Sequence, residues 1–224
     1  MDDMVGAQYY IDPEKYSLDK FQFSLESREM IPSRQMLKDH LKQFFDTLRS
    51  SGIENLSDLL KTLGSKSKIA VFAEKTSLPI DYLTLLRREA NSYFPTPVML
   101  SRFTGVDKTL VSGLEEHGIT SSKKLFELAA NEDQLSAFFK ASGLSSSDLS
   151  ELISLSDLSR LYGVGPAFAG MLYETGIDSV RTLMRYTGEQ IRAMYEEKTQ
   201  KKADFTARDI DFTLEIAREL EAES

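Results

Sequence analysis

An all-α fold of tandem five-helix units is what this sequence predicts, and three observations predict it. Apolar residues recur at helical spacing along nearly the whole chain, as in the stripe Leu37, Leu41, Phe44, Phe45 and Leu48. Strand-like alternation is confined to FQFSL, inside a segment (17–27) that a helix explains at least as well. One stretch also occurs more than once. Residues 100–126 laid over 158–184, an offset of 58, give 11 identities in 27 ungapped positions, where ordinary composition gives about two.

A fainter copy lies upstream. Leu48, Gly52, Ile53 and Leu59 match Leu114, Gly118, Ile119 and Leu125 at an offset of 66. Each copy also ends in a similar tail, LPIDYLTLL, LSSSDLSELI and FTARDIDFTL. Repeats this long are expected to be small domains in themselves.

The expected division follows from these copies. Residues 1–32 form an N-terminal arm with turn signals at Asp12-Pro13 and Ile31-Pro32. Residues 33–95 are a degenerate first unit, closed by NSYFPTPV, whose two prolines cannot lie inside a helix. Residues 96–155 are the second unit, with helices expected near 97–103, 108–117, 122–130, 132–141 and 146–154. Residues 156–224 are the third. LISLSDLSRL contains no breaker, so the second and third units are expected to share a rigid junction. Ser57, Ser121, Ser147, Thr187 and Thr206 are the expected N-caps. Gly52, Gly118, Gly143 and Gly176 are the expected helix ends.

Composition narrows the function classes. The 224 residues are 41% hydrophobic and 28% charged, which suits a chain with a real core. No cysteine is present, which excludes disulfides, thiolate metal sites and a cysteine nucleophile. The two histidines, His40 and His117, are far apart in sequence. There is no Walker loop, HExxH or GxSxG, so no catalytic activity, metal or cofactor is expected. No apolar run is long enough for a membrane span, and the acidic start lacks a signal-peptide core, so a cytoplasmic location is expected. The net charge of −8 weighs against a dedicated nucleic-acid binder but leaves room for a local basic patch.

The strongest candidate site is in RLYGVGPAFAGMLYETGI, residues 160–177. Leu161, Gly163, Val164, Gly165, Ala169 and Leu172 resemble the helix-hairpin-helix motif, an apolar residue, Gly-h-Gly, then apolar residues on the next helix. The resemblance implies that backbone N–H groups at the second helix's start meet a phosphate. Unpaired donors and the positive dipole end favour an anion there, and such contact reads no base sequence. Arg160, Arg181 and Arg185 are the nearby cations, set against Glu174 and Asp178. Pro166, Ala167 and Phe168 stand where binding hairpins commonly carry a basic residue. The second copy has Gly105-Val106-Asp107, losing a glycine and gaining a carboxylate. The same glycines serve equally for a tight interhelical turn, with Val164 in the core and Pro166 at a position that suits it. A secondary anion patch is Arg87-Arg88, near Tyr82, Tyr93 and Phe94.

IPSRQML, YLTLLRREANSYFPTPVML, GVDKTLVSGLEEHGI, LFELA and LSDLSRLYGVGPAFAGMLYETGI together resemble an uncharacterised prokaryotic family. That family is a domain of unknown function with helix-hairpin-helix-like repeats, and the likeness runs from about residue 9 to 220. It implies tandem helix-hairpin-helix or SAM-like units and no established activity. Two functions follow as expectations. The leading one is a non-catalytic module with weak, sequence-independent contact to DNA or RNA backbone through the Gly163–Gly165 hairpin. The other is a protein–protein interaction scaffold whose hairpins are purely structural.

Overall fold

The computed structural model describes Met4 and residues 6–222. The remainder of the expected arm, residues 1–3 and 5, and the last two residues lie outside the described set. The chain is all-helical, with no strand among the described residues. It divides into two compact units, one spanning Ile11–Tyr93 and the other the described residues through Tyr10 and from Phe94 onward.

In the Ile11–Tyr93 unit, α1 (Leu18–Ser27) starts where the Ser17 side chain accepts the Lys20 N–H. The FQFSL segment is therefore helical. A 3-10 turn (Pro32–Lys38) precedes α2 (Leu41–Ser50). The apolar stripe 37–48 is split between them, because His40 takes a left-handed conformation at φ 51°. Leu37, Leu41, Phe45 and Leu48 still face one core. Then come α3 (Leu56–Thr62), α4 (Lys66–Thr76) and α5 (Ile80–Asn91). α5 packs on α3, α4 and the 3-10 turn, and α1 packs on α2. Inside this unit Glu89, fully buried, is flanked by Arg28 at 3.1 Å and by Arg34.

The other unit holds a 3-10 turn (Leu100–Arg102), α6 (Lys108–Glu116), α7 (Ser122–Ala129), α8 (Glu132–Ser142) and α9 (Ser146–Leu158). The expected helix at 97–103 shrinks to that turn, while α9 runs unbroken past 154. α10 (Pro166–Glu174), α11 (Val180–Leu183), α12 (Gly188–Thr199) and α13 (Ala207–Ala222) complete it. α9 lies along α7 and α10, and α13 lies along α12 and α11. Leu149, Leu152, Leu155 and Leu158 of α9 are all buried.

One closure recurs three times. Gly52, Gly118 and Gly176 have φ of 83°, 80° and 88°. The next residue's N–H reaches back to a leucine carbonyl: Ile53 to Leu48 at 3.2 Å, Ile119 to Leu114 at 2.9 Å, Ile177 to Leu172 at 2.9 Å. This is the Schellman end, which needs a left-handed residue and seats the following apolar side chain. A second feature is shared by two of the copies among the described residues. Leu18 and Leu100 N–H groups bond the carbonyls of Glu54 and Thr120, and Leu56 and Ser122 N–H groups bond those of Tyr16 and Val98. Isolated bridges join Ser17 to Asn55 and Met99 to Ser121 at the same places. The copies differ in cover. Val164 is buried but Val106 is half-buried, and Ile53 and Ile177 are buried where Ile119 is half-buried. α8 buries none of its residues, whereas Ile191 of α12 is fully buried.

Candidate functional site

The hairpin of the third copy is built tightly. Leu161 ends the approach from α9 and is buried. Gly163 turns the chain at φ 84°, a conformation that costs glycine little and other residues more. The Val164 N–H then bonds the Leu161 carbonyl at 3.2 Å. Val164 plugs into the core. Gly165 is the N-cap of α10 and Pro166 its first residue, where a missing N–H breaks no helical bond. α13 buttresses the outer side. Thr213 donates its hydroxyl to the Tyr162 carbonyl at 2.9 Å, and Tyr162 meets Phe212 edge-on at 5.7 Å. A Cβ on Gly163 would lie 3.6 Å from the Thr213 hydroxyl, while one on Gly165 would meet nothing within 4 Å.

The three predicted cations have different fates. Arg160 has only 3% of its side chain exposed. Its Nε donates to Asp157 at 2.7 Å, one Nη to Glu221 and the other to the Gln8 carbonyl at 3.1 Å. Its guanidinium also stacks over Phe126, 4.9 Å from the ring centre. Arg181 donates through Nε to the other oxygen of Glu221 at 2.7 Å and is half-exposed. Arg185 is exposed. Arg160 and Arg181 thus come together on one carboxylate, with Arg185 outside that cluster.

The acidic partners of Arg160 are not the two that the sequence sets beside the hairpin, Glu174 and Asp178. Glu174 pairs with Lys198 at 3.0 Å. The residues that engage Arg160 are Asp157, three positions before it, and Glu221 near the chain's end. Asp157 has a further task. Its second oxygen accepts the Val180 N–H at 2.7 Å, at the start of α11. In the second copy the matching N–H, of Ser122, bonds the Val98 backbone instead. The reason is local. α9 continues through Leu158, so the backbone at this point is committed to the helix, and a carboxylate reaches across in its place. The repeat alignment held the signal, since Asp157 stands opposite an apolar Met99.

Electrostatics match the geometry. Burial pushes the Asp157 carboxyl above the usual range, against the pull of Arg160 and the Val180 N–H. Burial acts on Glu221 in the same direction, but Arg181 and Arg160 outweigh it and hold that carboxyl below the usual range. The network lines a cavity of about 370 Å³ that also includes Ser150, Ser179 and Thr182. Its charges are already matched, which makes it a clasp joining α9, α11, α13 and the segment at Gln8.

The other predicted features are placed as follows. Asp107 caps α6, accepting the Thr109 N–H at 2.7 Å, and Gly105 keeps the turn at φ 87°. Arg87 is half-buried and Arg88 exposed on α5, while Tyr82 and Tyr93 are buried in their own unit. No helix of the described residues is long and apolar enough to cross a membrane.

Among known families, one described as a domain of unknown function, DUF4332, matches residues 104–213. The match spans both hairpins, from the turn before Gly105 to the Thr213 that braces Gly163, just under half of the chain. No curated protein and no solved structure matches.

Proposed function

We propose that the chain is a non-catalytic protein-interaction scaffold, assembled from three related helical units whose hairpins are structural. One observation carries this reading. Arg160 and Arg181, the cations a phosphate at the hairpin would need, are turned onto Asp157 and Glu221. Cations already matched by carboxylates add little to an anion's affinity. The net charge of −8 works in the same direction by repelling a polyanion. The recurring Gly-Ile closure supports three units of helix-hairpin-helix or SAM-like type, with the hairpin turn serving close packing against α13.

A second reading, weak contact with nucleic-acid backbone, has an observation of its own. The start of α10 is open at Gly165, and Arg185 is exposed nearby in sequence. Free N–H groups of a first turn attract phosphate.

Two measurements on the intact chain separate the readings. In fluorescence anisotropy with duplex and single-stranded DNA at about 50 mM salt, the scaffold reading expects no salt-dependent binding. Cross-linking in source cells followed by nuclease treatment is expected to retain a protein partner. Salt-dependent DNA binding that disappears in Gly165→Glu, with helical circular dichroism unchanged, would overturn the scaffold in favour of the hairpin contact.

A further inference from the structure

A groove of about 450 Å³ lies between α6 and the start of α9. Val106, Leu110 and Leu144, all half-buried, supply its apolar floor. Asp107, Asp148 and Glu151 supply its rim, and no cationic side chain among the described residues lines it. Two of these carboxylates are held by hydrogen bonds. Asp107 caps α6, and Asp148 accepts both the N–H and the hydroxyl of Ser145 in the capping box of α9.

The third copy holds the filled counterpart of this groove. Leu110 corresponds to Phe168 by the 58-residue offset. Leu144 directly precedes the N-cap Ser145, as Phe205 precedes Thr206, whose hydroxyl accepts the Asp209 N–H. In the third copy Phe168, Phe205 and Tyr195 of α12 form a trio of rings with centres 5.1 to 6.2 Å apart. The second copy has smaller leucines at two of these positions, and its α8 buries nothing. Leucines thus stand where the third copy has rings, and the charged side chains that line the groove are acidic.

We propose that this groove docks a basic segment of a partner protein, which inserts one aromatic side chain between Leu110 and Leu144. Lysine or arginine residues flanking that ring meet Asp107, Asp148 and Glu151. The proposal rests on the scaffold reading and names the surface and the partner's chemistry. Rim charges of this kind set which partner is accepted, and a buried ring supplies the anchor.

The probe is a fluorescein-labelled synthetic peptide of about twelve residues, with a central Phe flanked by Lys and Arg, titrated against the intact chain. Its controls carry Ser for Phe, or Glu for every Lys and Arg. The expected result is saturable binding of the basic Phe peptide, at least about tenfold weaker binding of the Ser peptide, and none of the acidic one. Glu151→Lys is expected to weaken binding about fivefold or more. The double substitution Leu110→Phe, Leu144→Phe supplies the third copy's rings. It is expected to abolish binding while the melting temperature holds or rises. Failure of the basic peptide to bind, or equal binding to the filled variant, would overturn the proposal. Cross-linking the filled variant in source cells separates this failure from that of the scaffold reading. A partner retained by it sinks the groove alone, whereas no protein partner on the natural chain sinks both.

Discussion

Arg160 illustrates how much one side chain can be asked to hold. It joins Asp157, Glu221 and the Gln8 carbonyl with almost no exposure. Replacing it by Met leaves buried Asp157 without its cation and Glu221 with Arg181 alone, and removing one member of a buried charged pair costs about 3–5 kcal/mol. Urea unfolding of Arg160→Met is expected to register a loss of that size. Glu221 makes the pH dependence testable. Its carboxyl is held below the usual range in the folded chain, so its stabilisation is present above the unfolded value and lost as pH falls through the folded one. Asp157 has the opposite sign. Its raised carboxyl favours the fold most at low pH and loses that contribution as pH rises through its folded value. Glu221→Gln is therefore expected to cost about 1–3 kcal/mol near neutral pH, with the gap to the natural chain narrowing in acid. Unfolding measured across pH checks this. The sequence exposed Arg160 as a candidate but not its distant partner, because Glu221 is 61 positions away and only the return of α13 brings it near.

At the scale of elements, local signals were legible and their exact anchors less so. Gly52, Gly118, Gly143 and Gly176 all take the left-handed conformation expected of helix ends. Ser121 and Thr187 cap as expected. The caps expected at Ser57 and Ser147 sit two residues earlier, at Asn55 and Ser145. In both cases several polar residues cluster at the helix start, and any of them satisfies the local rule. Tertiary packing then decides, since the Asn55 cap is bridged to Ser17. The α12–α13 approach had no such local sign. Gly188 donates its N–H to Asp211 at 2.9 Å, and a Cβ there would lie 2.2 Å from the Ala207 carbonyl. Gly188→Ala must push α13 away and is expected to lower stability by about 1–3 kcal/mol, as overpacking does. Gly165→Ala, with open space around it, is expected to change thermal unfolding little. Comparing the two melting curves checks both.

At the scale of the molecule, the all-helical class was readable because periodicity and glycine punctuation agree along the whole chain. The compact units were harder to see. The segment 1–32 reads as an arm from its turn signals, yet α1 packs on α2 while Tyr9 bonds Ser122 at 2.7 Å and meets Phe126 edge-on. No local pattern announces a partner 113 residues away. Ile11–Tyr93 is one continuous stretch with its own buried core. Expressed alone, it is expected to give helical circular dichroism and a cooperative thermal transition. A featureless, non-cooperative melt would count against its independence.

The clasp at Arg160 also has a consequence in time. It ties Gln8 to Glu221, which is made 213 residues later. At ordinary synthesis speeds those two are separated by roughly 10–40 s on the ribosome. During that interval Ile11–Tyr93 comes to have its whole sequence available, while Gln8 and Tyr9 wait for a seat made of later chain. The order in which the protein is made is therefore not the order in which its parts are finished.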